Sequence, residues 1–222
     1  MINDFFSNLL EMDNMVSEAV FRVIPALICI TFHELAHGYT AYRLGDSTAK
    51  DMGRLTLNPI KHIDIFGLLM MLIAYFGWAK PVPVDMRNFK RPKWYMAITA
   101  LAGPLSNLLL TIVVLLLFGL ALTPLIKSAA GEVVLRMMHR MAMIGIALAV
   151  FNMLPIPPLD GSKILFSLLP DRYYMILMKY ERYGMLLLFA GLYFYRDQLG
   201  LLIGNISGAF DILWHTTFLL VN

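Results

Sequence analysis

Cysteine is almost absent from this chain of 222 residues: Cys29 stands alone, so neither an internal disulfide nor a cluster of thiolates around a metal can form. Charge is scarce too. Only 15% of the residues are Asp, Glu, Lys or Arg, against roughly 25% in an ordinary soluble domain. Met1 to Glu18 contains no Lys or Arg at all. Internal repeats and low-complexity tracts are lacking, and no stretch reads as a separate soluble domain. These shortages argue against a disulfide-stapled secreted fold and against an ordinary water-soluble globule.

Apolar residues fill the gap, at 59% of the chain. Met96 to Ile126 and Met141 to Leu159 run without a charged residue, and roughly 20 apolar residues suffice to cross a bilayer core. The first apolar segment, Val23 to Tyr42, contains His33, Glu34 and His37 and is followed by no small-residue cleavage site, so it is expected to be a retained span and not a signal peptide. A net charge of +3 and a pI near 9.0 would permit nucleic-acid binding. The basic residues, however, gather in loops beside the spans, where membrane topology explains them and no nucleic-acid partner is needed.

The expected fold is an all-α polytopic membrane protein with about four to six transmembrane helices. Residues 1–18 read as an interfacial lead-in, 19–165 as a catalytic transmembrane core, and 166–222 as C-terminal amphipathic and transmembrane helices. Ile65 to Trp78 is too short for the roughly 17 to 25 residues of a spanning helix and is expected to be re-entrant. Lys50, Arg54 and Lys61 precede it and Lys80, Arg87, Lys90, Arg91 and Lys93 follow it, so a full crossing would put one basic loop outside. Lys80-Pro-Val-Pro-Val-Asp85 alternates proline with valine, which suits an extended segment. Pro155, Pro157 and Pro158 must break the third span. One or two further spans are expected within Gly184 to Val221.

The chemistry gathers at His33-Glu-Leu-Ala-His37. At 3.6 residues per turn, positions i and i+4 share one helix face, so both imidazoles can bind a single Zn²⁺ while Glu34 stands beside them as a base for metal-activated water. The bland alternative is an exposed helix with a salt-bridging glutamate. Inside a membrane span, ionisable residues cost several kcal/mol on insertion scales, which favours function. A catalytic zinc takes three protein ligands and leaves one position open. Asp160, just past the proline-broken helix, is the best candidate for the third; the competing reading makes it a helix cap at Gly161-Ser162.

These residues carry a resemblance. His33-Glu-Leu-Ala-His37, Ala102-Gly103-Pro104-Leu105-Ser106-Asn107 and Asn152-Met-Leu-Pro155-Ile-Pro-Pro-Leu159-Asp160-Gly161 resemble, in order and spacing, the signature blocks of the site-2 protease family of intramembrane zinc metalloproteases. The likeness covers roughly Ile24 to Leu165 and is closest to compact bacterial members without a PDZ or regulatory domain. It implies one catalytic Zn²⁺ held by His33, His37 and Asp160, with Glu34 as general base, Asn152 at the substrate carbonyl or oxyanion, and Asn107 lining the site. It also implies a transmembrane protein substrate, cut either in regulated intramembrane proteolysis or to clear membrane-embedded peptides. Oligomeric state stays open; a homo-oligomer and a regulatory membrane partner are both compatible with the sequence.

A metal carrier using the same three ligands, with Glu34 as a fourth, is the alternative from another functional class. His62 reads as an interfacial loop histidine, with a second metal site or proton shuttle as the sharper option. Cys29, one turn before His33, is conceivable as a thiolate ligand. If both basic loops are cytoplasmic, the protein lies in the cell membrane with its active site nearer the cytosol. Counting back from Tyr42 then puts His37 and His33 roughly 8 to 14 Å along the helix.

Overall fold

The computed structural model describes residues 15–73, 77–125 and 128–194, with isolated positions between 197 and 212. Helix α1 spans Met15–Arg43, short α2 Thr48–Asp51, α3 Ile65–Ile73, α4 Pro92–Leu125, α5 Ala129–Asn152, α6 Asp160–Ser167, α7 Asp171–Tyr180 and α8 Gly184–Phe194. Among the described residues, Ala19–Arg43 in α1, Pro92–Phe118 in α4 and Ala130–Asn152 in α5 are long and apolar enough to cross a membrane. The remainder of the four to six expected spans falls on residues 184–221, of which only α8 and a few positions beyond it are described. The first fourteen residues of the expected lead-in also lie outside the described set.

The helix ends follow local chemistry. Pro92 occupies the first position of α4, where its missing N–H is no loss. Ser128 caps α5 by accepting the N–H of Gly131, and Glu132 lies in that helix's positive first turn. At the other end of α5 the prolines after Met153 stop the helix, as expected. Pro25 sits inside α1 and is fully buried, a position tolerated where neighbouring helices cover the freed carbonyl.

Helix α4 is the centre of the packing, against α5 and α1 most extensively and then α6. Its two faces invert the soluble pattern. Leu105, Leu109, Ile112 and Leu116 form an exposed apolar stripe, whereas the polar side chains of Thr99, Asn107 and Thr111 are buried. Water would reject such an outer face, and lipid accepts it. Val114 of α4 and Ala142 of α5 head the apolar cluster that holds the two helices together, with Leu110, Met138, Met141 and Ile146 packed around them.

Between α1 and α4 the chain makes an excursion and returns to its starting point. Ile63 bridges Ala79 in antiparallel fashion, and the Lys80 N–H donates to the His62 carbonyl at 2.9 Å. Both ends of the expected re-entrant segment therefore sit together. Within it, α3 runs nine residues, and positions 74–76 lie outside the described set. Residues 80–85 then form a strap outside any helix, with Asp85 in extended backbone at its end, where the alternating prolines predict an extended segment.

Side chains from the α1–α2 region pin that strap. Arg54 is not the free loop cation that the charge pattern alone suggests: it is buried and donates to the carbonyls of Lys80 at 2.8 Å and Pro81 at 3.3 Å. Asp46, with no exposed surface, accepts from the Thr48 N–H and hydroxyl, the Asp85 N–H and the Asn88 amide. Burial alone would raise its pKa, but the bonds from Thr48, Asn88 and Asp85 outweigh burial and hold the carboxyl below the ordinary carboxylate range. A group whose folded pKa is lowered contributes its full stability above the unfolded value, about 3.9, and loses it as pH falls through the folded value. Asp46→Ala is accordingly expected to lower the thermal midpoint in detergent at pH 7 by several degrees. The gap to wild type should shrink as the pH is taken below about 4; a gap independent of pH would assign Asp46 a packing role instead.

Candidate metal centre

Helix α1 presents His33 and His37 one turn apart on its inner face, against α4. The backbone of α4 can come this close because position 103 has no side chain: a Cβ there would lie 2.4 Å from His37 Cε1 and 2.6 Å from His33 Cε1. Asp160 arrives from the other side, in the first turn of α6. Gly161 lets the loop fold back onto the end of α5, since a Cβ at that residue would meet the Met153 carbonyl oxygen at 2.2 Å. The two glycines thus bring three chain segments to one point.

At that point the ligand atoms converge. His33 Nε2 and His37 Nε2 are 2.9 Å apart, and Asp160 Oδ2 lies 3.1 Å from the first and 3.3 Å from the second. The rings meet edge to face with centroids 4.5 Å apart. Four-coordinate zinc with bonds of about 2.0 to 2.1 Å places its ligand atoms about 3.3 Å from one another, which is close to the spacing seen here. His33 and Asp160 are buried, and Asp160 Oδ2 is an enclosed atom without a hydrogen-bond donor. Three electron-pair donors enclosed together repel unless a cation lies among them, so the donor set fits a metal ion. Among the described residues these three form the group of His, Cys, Asp and Glu side chains that can hold one. Asp160 therefore turns its carboxylate to the histidines, and the helix-cap reading is set aside.

The surrounding residues orient this set. His37 Nδ1 lies 2.7 Å from the Thr99 carbonyl oxygen. The Asn107 amide lies 3.2 Å from His33 Nδ1 and has no exposed surface, so it stands behind the histidine. Glu34 is half-buried, and its Oε2 accepts the N–H of Val82 in the strap at 2.7 Å. Asn152, the last residue of α5, donates from Nδ2 to the Leu148 carbonyl at 3.0 Å. That bond is to its own helix.

Two other expectations meet the structure here. His62 is not an open loop residue: it is 1% exposed, its Nε2–H donates to the Thr56 carbonyl at 3.0 Å, and Nδ1 has no partner. Cys29 is fully buried, and its thiol donates to the Met141 carbonyl at 3.4 Å, away from the cluster. The contributions of Val82, Arg54 and Thr99 act through main-chain groups or main-chain contacts, which no residue pattern announces; Gly103 acts by having no side chain, which its place in the Ala102 to Asn107 block does not reveal.

Comparison with known proteins adds the family. Residues 119–194 match the family model described as peptidase family M50. The chain is 40% identical over 170 residues to "Putative zinc metalloprotease YwhC" of Bacillus subtilis, covering 74% of this chain and 76% of that protein. It is 32% identical over 148 residues to proteins named "Putative zinc metalloprotease Rip2" from Mycolicibacterium smegmatis and Mycobacterium tuberculosis, covering 64% of this chain and 55% of theirs. No solved structure matches. With a histidine pair and an aspartate meeting inside a bundle of apolar helices, and a relative aligned over three quarters of its length, the chain belongs to peptidase family M50, the site-2 protease family.

Proposed function

We propose that this membrane metalloprotease is an intramembrane zinc endopeptidase that hydrolyses peptide bonds in membrane-spanning protein substrates. The observation that carries the reading is the convergence of His33 Nε2, His37 Nε2 and Asp160 Oδ2, with Glu34 adjacent in the same helix. In this reading His33, His37 and Asp160 are the ligands of one Zn²⁺. Bound there, the ion supplies Lewis acidity, lowering the pKa of a coordinated water to about 7 and polarising the scissile carbonyl.

The chain's own residues handle the protons and the charge. Glu34 uses one lone pair on the Val82 N–H, leaving carboxylate capacity to accept the proton of the attacking water. As the C–O bond forms and the C–N bond breaks, Glu34 returns that proton to the leaving amine. Asn152 Nδ2 has a second hydrogen beyond the one given to Leu148, and that hydrogen serves the developing oxyanion. The substrate helix must unwind first, because its scissile amide is otherwise occupied by its own hydrogen bonds. The extended strap near Val82 to Val84 suits an unwound chain added as a strand.

The carrier reading would draw Glu34 into the ligand set, yet Glu34 is bonded to the strap and the metal group comprises the other three. Glu34→Gln separates the two. The variant is expected to keep wild-type zinc stoichiometry while activity falls about 10²- to 10⁴-fold. In cells, a transmembrane fragment should accumulate that wild type removes, detected by membrane proteomics. Asn152→Ala should also keep zinc and slow turnover by about 10²- to 10³-fold. Loss of zinc in Glu34→Gln would favour the carrier.

The protein belongs in the cell membrane with the centre nearer the cytosol, since the loops that carry Lys50, Lys61, Lys90 and Arg91 flank the paired ends of the excursion. Met52 and Arg91 are exposed and lie on either side of it. Single cysteines at these two positions in a Cys29→Ser background should resist an impermeant thiol reagent in intact cells and react once the membrane is opened. Labelling of either in intact cells would overturn the sidedness.

A further inference from the structure

We infer that Asn107 is a positioning residue: its amide oxygen accepts a hydrogen bond from His33 Nδ1–H and so holds the His33 Nε2 lone pair toward the metal. This rests on the zinc reading above and adds to it the device that fixes the ligand's tautomer.

A neutral imidazole carries one proton, and it can ligate through Nε2 only if that proton sits on Nδ1. For His37 the question is settled by its neighbour. The Thr99 carbonyl, 2.7 Å from Nδ1, can only accept, so the proton is on Nδ1 and Nε2 faces the cluster as a lone pair. His33 has no such one-way partner, since an amide can either accept or donate. As placed, Asn107 turns Nδ2 toward His33 Nδ1 and leaves Oδ1 enclosed without a partner. A half-turn of the amide keeps its outline and points Oδ1 at Nδ1. Only this orientation is compatible with a proton on Nδ1, and it gives the enclosed oxygen a donor.

The helix register supports the pairing. Thr99, Gly103 and Asn107 are spaced by four along α4, as His33 and His37 are along α1. Running antiparallel, Thr99 serves His37, Asn107 serves His33, and Gly103 lies against both rings. The two acceptors are thus equivalent in position, one main-chain and one side-chain. The buried Thr111 hydroxyl donates to the main-chain carbonyl of Asn107 at 2.9 Å, a bond to the backbone that does not engage the side-chain amide. With no exposed surface, the Asn107 side chain does not touch a substrate; its effect passes through His33.

Asp and Leu variants read the direction of this bond. Aspartate can accept from Nδ1–H but cannot donate when ionised, whereas leucine keeps much of the volume and does neither. Zinc affinity is measured on purified wild-type, Asn107→Asp, Asn107→Leu and His33→Ala proteins in detergent, by competition with a chromophoric chelator, with helicity checked by circular dichroism. Asn107→Asp should bind zinc within a few-fold of wild type, and Asn107→Leu about 10- to 100-fold more weakly. Wild-type affinity in Asn107→Leu would overturn the inference. So would an Asn107→Asp protein that is folded but loses zinc, because that result assigns the amide as donor, and this arm decides even if the leucine variant does not fold. Failure of the zinc reading has a separate signature: wild type would bind no zinc, or His33→Ala would bind it as tightly as wild type.

Discussion

Two imidazole nitrogens and a carboxylate oxygen lie within 3.3 Å of one another in a bundle whose outer face is leucine and isoleucine. Burying such groups costs several kcal/mol each unless something compensates, and the surrounding helices offer little water to do so. Much of the nearby architecture serves that cluster. Gly103 clears the space for the two rings, Gly161 sets the turn that delivers Asp160, and the prolines of the 155–158 loop end α5 in time for that turn. Thr99 and Asn107 occupy the far sides of the imidazoles.

A second set of contacts ties the histidine-bearing helix α1 to the excursion between α1 and α4. The strap's main chain meets Glu34 at Val82, Arg54 at Lys80 and Pro81, and Asp46 at Asp85. Proline at 81 and 83 removes N–H groups that would otherwise need partners, which suits a strap that joins no helix. Glu34 is consequently held by the strap through the Val82 N–H. In the proposed mechanism, a substrate strand docked on the strap would be linked to the base through that one N–H group. Beyond the site, Trp78 stacks edge to face on Phe189 of α8, and Lys93 reaches the Leu169 carbonyl and Asp171, which fastens the C-terminal helices to the same region.

The spans and the shared helix face of His33 and His37 are legible in the sequence because both rest on spacing. Uncharged runs mark α4 and α5, and a four-residue interval places two histidines on one face. The paired prolines marked the extended strap. What sequence could not show is contact between main-chain groups and side chains distant in the chain. Arg54 reads as a topological charge and is buried against two carbonyls; His62 reads as a loop residue and is enclosed. Asp160 was ambiguous between ligand and cap until its partners were placed, because the first turn of a helix favours a carboxylate for either role. Asn107 was legible as part of a motif, yet its direction of bonding depends on the tautomer of a ring in another helix.

X-ray absorption at the zinc edge of the purified protein reads directly whether His33, His37 and Asp160 form one zinc site. A site built from these three residues should give about four nitrogen and oxygen neighbours at roughly 2.0 to 2.2 Å, with the multiple-scattering signature of two imidazoles and no sulfur. Asp160→Asn should alter that first shell, and His33→Ala should remove one imidazole from it. A sulfur neighbour, or a spectrum unchanged by both substitutions, would place the metal elsewhere.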